Sequence, residues 1–473
     1  TVAIFNNDAD DSSLIEASSS DSITLLDQAQ SFVSLVSSHV TKFGGVIVTG
    51  SELEVTACFG FPQAFEDAAQ RAIRAALSLS LALPVATIAT TPVGYVPPAT
   101  ALPVPCTPGA CAPGVQTWAP NGGATLTGPT PLTPNLMTVN QSVQNVILNW
   151  ASFNIDKGYT VNFVQPNSSA VALNQIWQQD PSQIWGNLTA NGTVYLINQN
   201  GFLFGQGSTI NVGSLVASSL ALNPIAGPNA FGLAGAAAQG LPAFSPFTVT
   251  NPDGTVSQVA SGDITIQSGA SIKGNSGQVL VFAPNVTNAG SIASPDGQTL
   301  LGAGQNIFLL ASTDPTLRGL LIQVGNGGTV TNAGAADGLG GIGDISAATG
   351  NVTLAGLAVN QNGRVSATTT VRTNGSIRLQ AGDTTSPQLN APGVFQTDRS
   401  GTVTLGANST TSVTLEGSST DTTVDANAQP KSRIDISAGQ IDMLAHSTVS
   451  ATSGNVMLPR LVNSVARLAR RAC

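Results

Sequence analysis

From Val194 to Leu220 apolar residues alternate with small or polar ones at a period of two, in the run VYLINQNGFLFGQGSTINVGSLVASSL. That alternation marks half-buried strands. Two tight corners interrupt it. One is Asn198-Gln199-Asn200-Gly201, with a glycine where positive φ costs little, and the other is Gly205-Gln206-Gly207. The run carries no charge over 27 residues. Upstream, Leu136–Val139, Val146–Trp150, Val161–Phe163 and Val171–Leu173 have the same form, each a short strand bounded by Asn, Gly, Pro or Ser.

From Ile264 onward the pattern repeats. Val286-Thr-Asn-Ala-Gly290 returns unchanged as Val330-Thr-Asn-Ala-Gly334, 44 residues later, which reads as two turns of about 22. Gly277-Gln-Val-Leu-Val and Gly297-Gln-Thr-Leu-Leu stand 20 apart. Gly350-Asn-Val-Thr-Leu, Gly375-Ser-Ile-Arg-Leu, Gly401-Thr-Val-Thr-Leu and Gly454-Asn-Val-Met-Leu continue the theme at spacings of 25, 26 and 53. A period in the low twenties with a strand or more per unit predicts a solenoid. The regular Leu-x-x-Leu-x-Leu of a leucine-rich horseshoe is absent, so the prediction is a parallel β-helix whose inward Val, Ile and Leu form one core. At ~4.8 Å per coil, roughly 14 coils over residues 150–458 would stack to about 65 Å.

Composition agrees with a mainly β chain. Only 9% of the 473 residues are charged, against ~25% in ordinary globular proteins. Strong helix formers such as Glu and Lys are scarce, whereas 42% of residues are hydrophobic, too many for disorder. Stacked coils set like residues above one another, which disfavours charge and suits Asn, Ser and Thr. The net charge of −9 is uneven: residues 1–90 hold 10 acids and 3 bases. Residues 1–80 read as a small α/β unit, with a strand at Val2–Phe5, helices over Ser22–His39 and Ala64–Ala82, and a hairpin of Val46-Ile47-Val48 with Val55–Phe59. Residues 81–119 read as a Pro/Ala/Thr-rich linker, 120–260 as the start of the solenoid with its cap, 261–458 as its repeats, and 459–473 as a basic tail. Arg71 to Ala89 also has the form of a signal peptide: either it is the last helix of the first unit, or the start of the exported protein lies inside this chain.

The candidate chemistry is sparse. Cys58, Cys106, Cys111 and Cys473 form no CxxC, and His39 and His446 are the only histidines, so no metal or cofactor is expected. Cys106 and Cys111 are either a small disulfide of an exported chain or two unpaired thiols. After Glu66 the one glutamate is Glu416, and Asp180, Asp263, Asp296, Asp314 and Asp344 are scattered, so no paired carboxylates point to an enzyme. Asp435 and Asp442, near His446, read as turn residues. Trp150, Trp177 and Trp185 read as core or cap rather than a sugar platform. No basic stripe suggests nucleic acid.

Two resemblances stand on particular residues. Phe43-Gly44-Gly45, Cys58–Ala64 and Glu66–Leu77 resemble the middle of a class III nucleotide cyclase domain. The family's Gly-Asp turn between the hairpin strands is replaced here by Thr49-Gly50-Ser51-Glu52, and the later half of such a domain is missing, so a degenerate, truncated remnant is expected. Much more extensively, VNQSVQNVILNWASFNI (139–155), VNFVQPNSSAVALNQI (161–176), DPSQIWGNLTANGTVYLINQNGFLFG (180–205) and INVGSLVAS (210–218) resemble the secretion domain of the filamentous haemagglutinin family, with NQNGRVSATTTVRTNGSIRL (360–379) continuing it. That resemblance implies a right-handed β-helix with an amino-terminal cap in a secreted or surface-exposed adhesin. It implies export through the periplasm and outer membrane by a barrel transporter with periplasmic domains. Its further partner would be a host or neighbouring-cell receptor, with carbohydrate as one class. The stem of a contact-dependent growth inhibition toxin is the alternative within the same resemblance, and a cyclase-like signalling protein the alternative outside it. The family's Asn-Pro-Asn-Gly-Ile signature maps onto Asn198, Gln199, Asn200, Gly201 and Phe202, the expected secretion motif, with Gln for Pro and Phe for Ile.

Overall fold

The computed structural model describes residues 95–458, apart from 96, 112–114, 116, 224–232, 234–240, 276, 313–318, 372, 388–394, 418–419, 421–430 and 453, together with residues 2–3, 40–42, 45–50 and 55–59. The chain divides into two compact units, Thr1–Thr91 and Pro92–Cys473. In the first, Gly45–Gly50 and Val55–Phe59 form the expected antiparallel hairpin, and Val2–Ala3 pairs antiparallel with its second strand. The helices expected over 22–39 and 64–82, and the tail at 459–473, lie outside the described residues.

In the second unit the chain winds in coils of three short strands, one on each of three parallel sheets. One coil consists of Ser182–Ile184, Asn187–Ala190 and Thr193–Asn198, and the next of Phe202–Phe204, Thr209–Val212 and Ser214–Ser218. Each strand pairs in parallel with its counterpart, Ser182 beside Phe202, Asn187 beside Thr209 and Thr193 beside Ser214. The alternation read from the sequence sets which side chains enter the core. On the second sheet Leu188, Ile210, Ile272, Ile292, Ile345 and Val365 stack in one column, each 1% exposed or less. Burying each of these side chains contributes about 1.5–3 kcal/mol.

The third sheet holds ten parallel strands, from Asn145–Ser152 to Gly454–Met457. Nine steps of ~4.8 Å give a stack of roughly 43 Å. Fourteen coils were expected, and the difference lies in insertions between coils. The two Val-Thr-Asn-Ala-Gly repeats show it best. Val286 pairs directly with Val330 and Asn288 with Asn332, so the 44 residues are one coil and not two. A hairpin, in which Gly304–Ala311 runs antiparallel to Leu320–Gly327, takes up the excess. Gly401 also differs from expectation. Thr402–Leu405 pairs with Ala358–Gln361 on the first sheet, so it does not continue the series of Gly350 and Gly375, whose strands lie on the third.

That hairpin lies against the outer side of the third sheet with Phe244, which pairs with Ile307. Beneath it Leu173, Tyr195, Ile197, Val216, Phe282 and Leu300 form a second apolar cluster outside the coils. The middle strands of the third sheet are therefore covered on both sides, and Gln278–Ala283 is buried at every position after the first. Burial pushes the Tyr195 phenol well above its ordinary pKa.

Inside the coils the repeated asparagine has a specific role. Asn288 Nδ2 donates to Asn332 Oδ1 at 2.9 Å, Asn332 Nδ2 to Gln361 Oε1 at 2.8 Å, and Gln361 Nε2 to Thr411 Oγ1 at 3.3 Å, all four side chains being fully buried. The ladder satisfies amides that would otherwise be costly in the core. Replacing Asn332 by alanine is expected to lower the unfolding free energy by about 2–4 kcal/mol, because groups on both sides lose their partner. The urea midpoint measures it, and an unchanged midpoint would contradict the ladder.

The first coil is sealed by antiparallel strands. Ala124–Thr127 pairs with Leu136–Gln141, and Val104–Pro105 with Asn145–Ser152, which closes two sheet edges that would otherwise invite another chain. The described part of 95–119, expected as linker, is thus docked on the first coils. Proline is tolerated there because the pairing is at a sheet edge. Cys106 is buried and forms a disulfide with Cys111. Trp118 packs edge-on against Trp150 at 5.4 Å between ring centroids. Tyr95 meets Trp185 edge-on at 5.2 Å, with Lys157 Nζ 3.9 Å from the Tyr95 ring centroid. Its hydroxyl donates to Asp156, and that bond holds the Tyr95 pKa up at about 12.

Candidate secretion corner

The corner at Asn198–Phe202 joins the third-sheet strand Thr193–Asn198 to the first-sheet strand Phe202–Phe204. Asn198 is fully buried. Its Nδ2 donates to Ser182 Oγ at 3.0 Å and to the Asp180 carbonyl at 3.2 Å, and its Oδ1 accepts from the Asn200 amide at 2.9 Å. The last bond makes an Asx turn, the local geometry asparagine favours. Asn200 Nδ2 donates to the Gln178 carbonyl at 2.8 Å. Both asparagines therefore tie the corner back to the preceding coil.

Gly201 and Gln199 tie it forward and sideways. The Gly201 amide donates to the Asn198 carbonyl at 2.9 Å, and its own carbonyl accepts from the Ser182 amide at 3.0 Å. The Gly201 φ is +88°, and a Cβ there would stand 2.1 Å from the Asp263 carbonyl oxygen of the next coil. Gln199 Nε2 donates to the Ala260 carbonyl at 3.3 Å, and the Gln199 carbonyl accepts from the Gly262 amide at 2.8 Å. The Phe202 amide donates to the Asp263 carbonyl at 3.2 Å. Five residues thus clamp three successive coils.

The two departures from the family signature are built into this clamp. Gln199 supplies a side-chain bond to Ala260 that proline has no donor to make. Phe202 is 1% exposed and stacks on Phe204 with centroids 6.0 Å apart and planes 17° from parallel. Of the five, only Gln199 and Asn200 are partly exposed. The partners Gln178, Asp180 and Ser182 lie within reach of sequence reasoning, since they precede the motif by one coil. Ala260, Gly262 and Asp263 do not, because some sixty residues separate them from the corner. Gly205-Gln206-Gly207 forms the second expected corner, with φ +85° at Gly207. Trp150 and Trp185 are buried as expected, at 0% and 3% exposure.

Among the described residues no group of three His, Cys, Asp or Glu is placed to hold a metal ion. None of the described helices is long and apolar enough to cross a membrane.

The chain is 44% identical over 93 residues to a heme/hemopexin-binding protein of Haemophilus influenzae, and 43% identical over 91 residues to the protein of that name from strain Rd. Those matches take in 20% and 19% of this chain and 10% of each relative, so the similarity spans a tenth of the relatives' length. The crystal structure of the HMW1 secretion domain from Haemophilus influenzae is similar over 71% of this chain and 83% of that one, with 20% identity and a TM-score of 0.46. The model of the TPS (two-partner secretion) secretion domain matches residues 127–383, more than half of the chain. Such domains serve export rather than catalysis: an outer-membrane transporter carries the exoprotein to the cell surface or beyond. The matched region begins at the capping strand, contains the whole clamp at 198–202 and runs to the end of the eighth coil, and the chain belongs to the TPS secretion domain family.

Proposed function

We propose that the protein is a secreted or surface-exposed adhesin of the filamentous haemagglutinin type, and that Asn198, Gln199, Asn200, Gly201 and Phe202 are its secretion motif. The observation that carries the reading is the clamp, which locks three coils with backbone and buried amide bonds and leaves two partly exposed side chains at the surface. A chain that crosses the outer membrane unfolded needs an early, stable set of coils on the far side. The clamp supplies it, and the capping strands shield its first edge. While unfolded, the strand-rich chain can add to a sheet edge of the transporter's periplasmic domains. A low charge content suits such threading.

The receptor in this reading lies on a host or neighbouring cell, and carbohydrate is the class we favour. For residues 1–80 we propose a degenerate remnant of a cyclase-type domain, because Thr49-Gly50-Ser51-Glu52 lacks the aspartate of the metal-binding turn. The test of export is direct. Cells expressing the chain with its outer-membrane transporter are expected to release it or display it, and cells lacking the transporter to hold it in the periplasm. Equal release from both would overturn the proposal.

A further inference from the structure

The outer side of the second sheet carries the side chains that the coil core does not take. Along Thr160–Val164, Asn187–Ala190 and Thr209–Val212, the neighbours Val161, Leu188 and Ile210 point inward and are fully buried. Asn162, Thr189 and Asn211 are direct neighbours on the outer side. They climb the stack at ~4.8 Å per coil. With Val164, Asn191 and Asn275 they line an open recess of about 400 Å³. None of its described lining residues is charged.

The amides in this recess hold one another in place. Thr189 Oγ1 donates to Asn162 Oδ1 at 2.8 Å, and Asn275 Nδ2 donates to Asn211 Oδ1. Asn191 is fixed at both ends. Its Nδ2 donates to the Gln165 carbonyl at 2.8 Å, and its Oδ1 accepts from the Gln165 amide at 2.8 Å. Asn162, Asn211 and Asn275 use only one end in this way. Asn162 Nδ2, Asn211 Nδ2 and Asn275 Oδ1 have no partner among the described residues. Each amide has a donor end and an acceptor end, so the recess presents two oriented donors and one oriented acceptor. Val164, 47% exposed, adds an apolar surface beside them.

We infer that this recess binds a neutral carbohydrate, with ring hydroxyls on the free amide ends of Asn162, Asn211 and Asn275 and a C–H face of the ring against Val164. A sugar hydroxyl both donates and accepts, so it meets either end of an amide. Amides already held by the protein lose little side-chain entropy on binding. Other classes of ligand lack what they need here. An extended peptide adds to a free sheet edge, whereas these three strands are each paired on both sides. A nucleic acid needs cations for its phosphates, and the described lining residues include none. The inference rests on the reading of the protein as an adhesin for carbohydrate and gives that reading a site.

Isothermal titration of the full chain with mannotriose, N-acetyllactosamine and triacetylchitotriose tests it. Saturable binding at one site per chain is expected for at least one of these sugars. Asn162→Asp and Asn211→Asp keep the side-chain shape and the oxygen that accepts inside the recess, but replace the outward donor by a carboxylate oxygen. Each is expected to weaken binding about fivefold, and the double variant about twentyfold. Ser412→Ala, on the same sheet outside the recess, is expected to change nothing. Far-UV circular dichroism establishes that each variant is folded. No saturable binding of any of the three sugars, or equal affinity in the double variant and the unchanged chain, would overturn the site. Adherence of chain-coated beads to cultured epithelial cells, before and after periodate cleavage of the cell-surface sugars, separates the recess from the receptor reading. Adherence that periodate abolishes and the double variant weakens is expected. Periodate-sensitive adherence that the double variant retains in full would overturn the recess and leave the receptor reading standing. Adherence that periodate does not change would overturn the receptor reading.

Discussion

Replacing Gly201 by valine is expected to lower the stability of the β-helix by about 3–5 kcal/mol. Two costs combine. At φ +88° a β-branched residue is strained, and its Cβ would stand 2.1 Å from the Asp263 carbonyl oxygen. The chain can relieve the contact only by moving the next coil, which breaks the Phe202-to-Asp263 and Gly262-to-Gln199 bonds. Gly207 is the control. Its φ is +85°, yet a Cβ there meets nothing within 4 Å. Gly207→Ala should therefore cost only the left-handed backbone term, about 1–2 kcal/mol. Urea unfolding of the two variants separates close approach from conformation. Equal losses would show that the corner does not depend on the coil beyond it.

Trp150→Ala is expected to cost about 3–5 kcal/mol. Trp150 is fully buried in the first coil, between Trp118 at 5.4 Å and Phe153 at 5.4 Å. Its Nε1 donates to Asn174 Oδ1 at 2.8 Å, and Asn174 Nδ2 in turn donates to the Tyr195 carbonyl at 2.9 Å. The indole thus joins the cap to the next two coils. Trp150→Phe keeps most of the volume and removes only the donor, so a smaller loss of about 1–3 kcal/mol is expected. Denaturant midpoints of the pair check both figures. Identical losses would mean that the hydrogen bond carries the whole effect and the packing none.

Much of the coil structure is legible in the alternation of the sequence. Leu136–Val139, Val161–Phe163 and Val194–Ile197 each lie inside observed strands, and the corners at Asn198–Gly201 and Gly205–Gly207 are where the pattern puts them. The number of coils is not legible, for a physical reason. The inserted hairpin at 304–327 obeys the same β grammar as the coils, so its strands counted as turns of the solenoid. Strands covered on both sides, such as Gln278–Ala283, lose the alternation that would reveal their facing. In the ladder, Asn288 and Asn332 are legible as a repeat but not as an interior, because asparagine is usually a surface residue, and Gln361 lies outside the repeat. Half of the clamp at 198–202 is local in sequence. The other half closes on residues 260–263 and depends on how the insertion returns the chain to the stack.

The clamp is also where the export account can be tested most directly. The measurement is the fraction of chain released or displayed by cells that co-express the outer-membrane transporter, for the unchanged chain and for a deletion of Asn198–Phe202. The account predicts that the deletion holds the chain in the periplasm while the unchanged chain reaches the surface or the medium. Undiminished release of the deleted chain would contradict it.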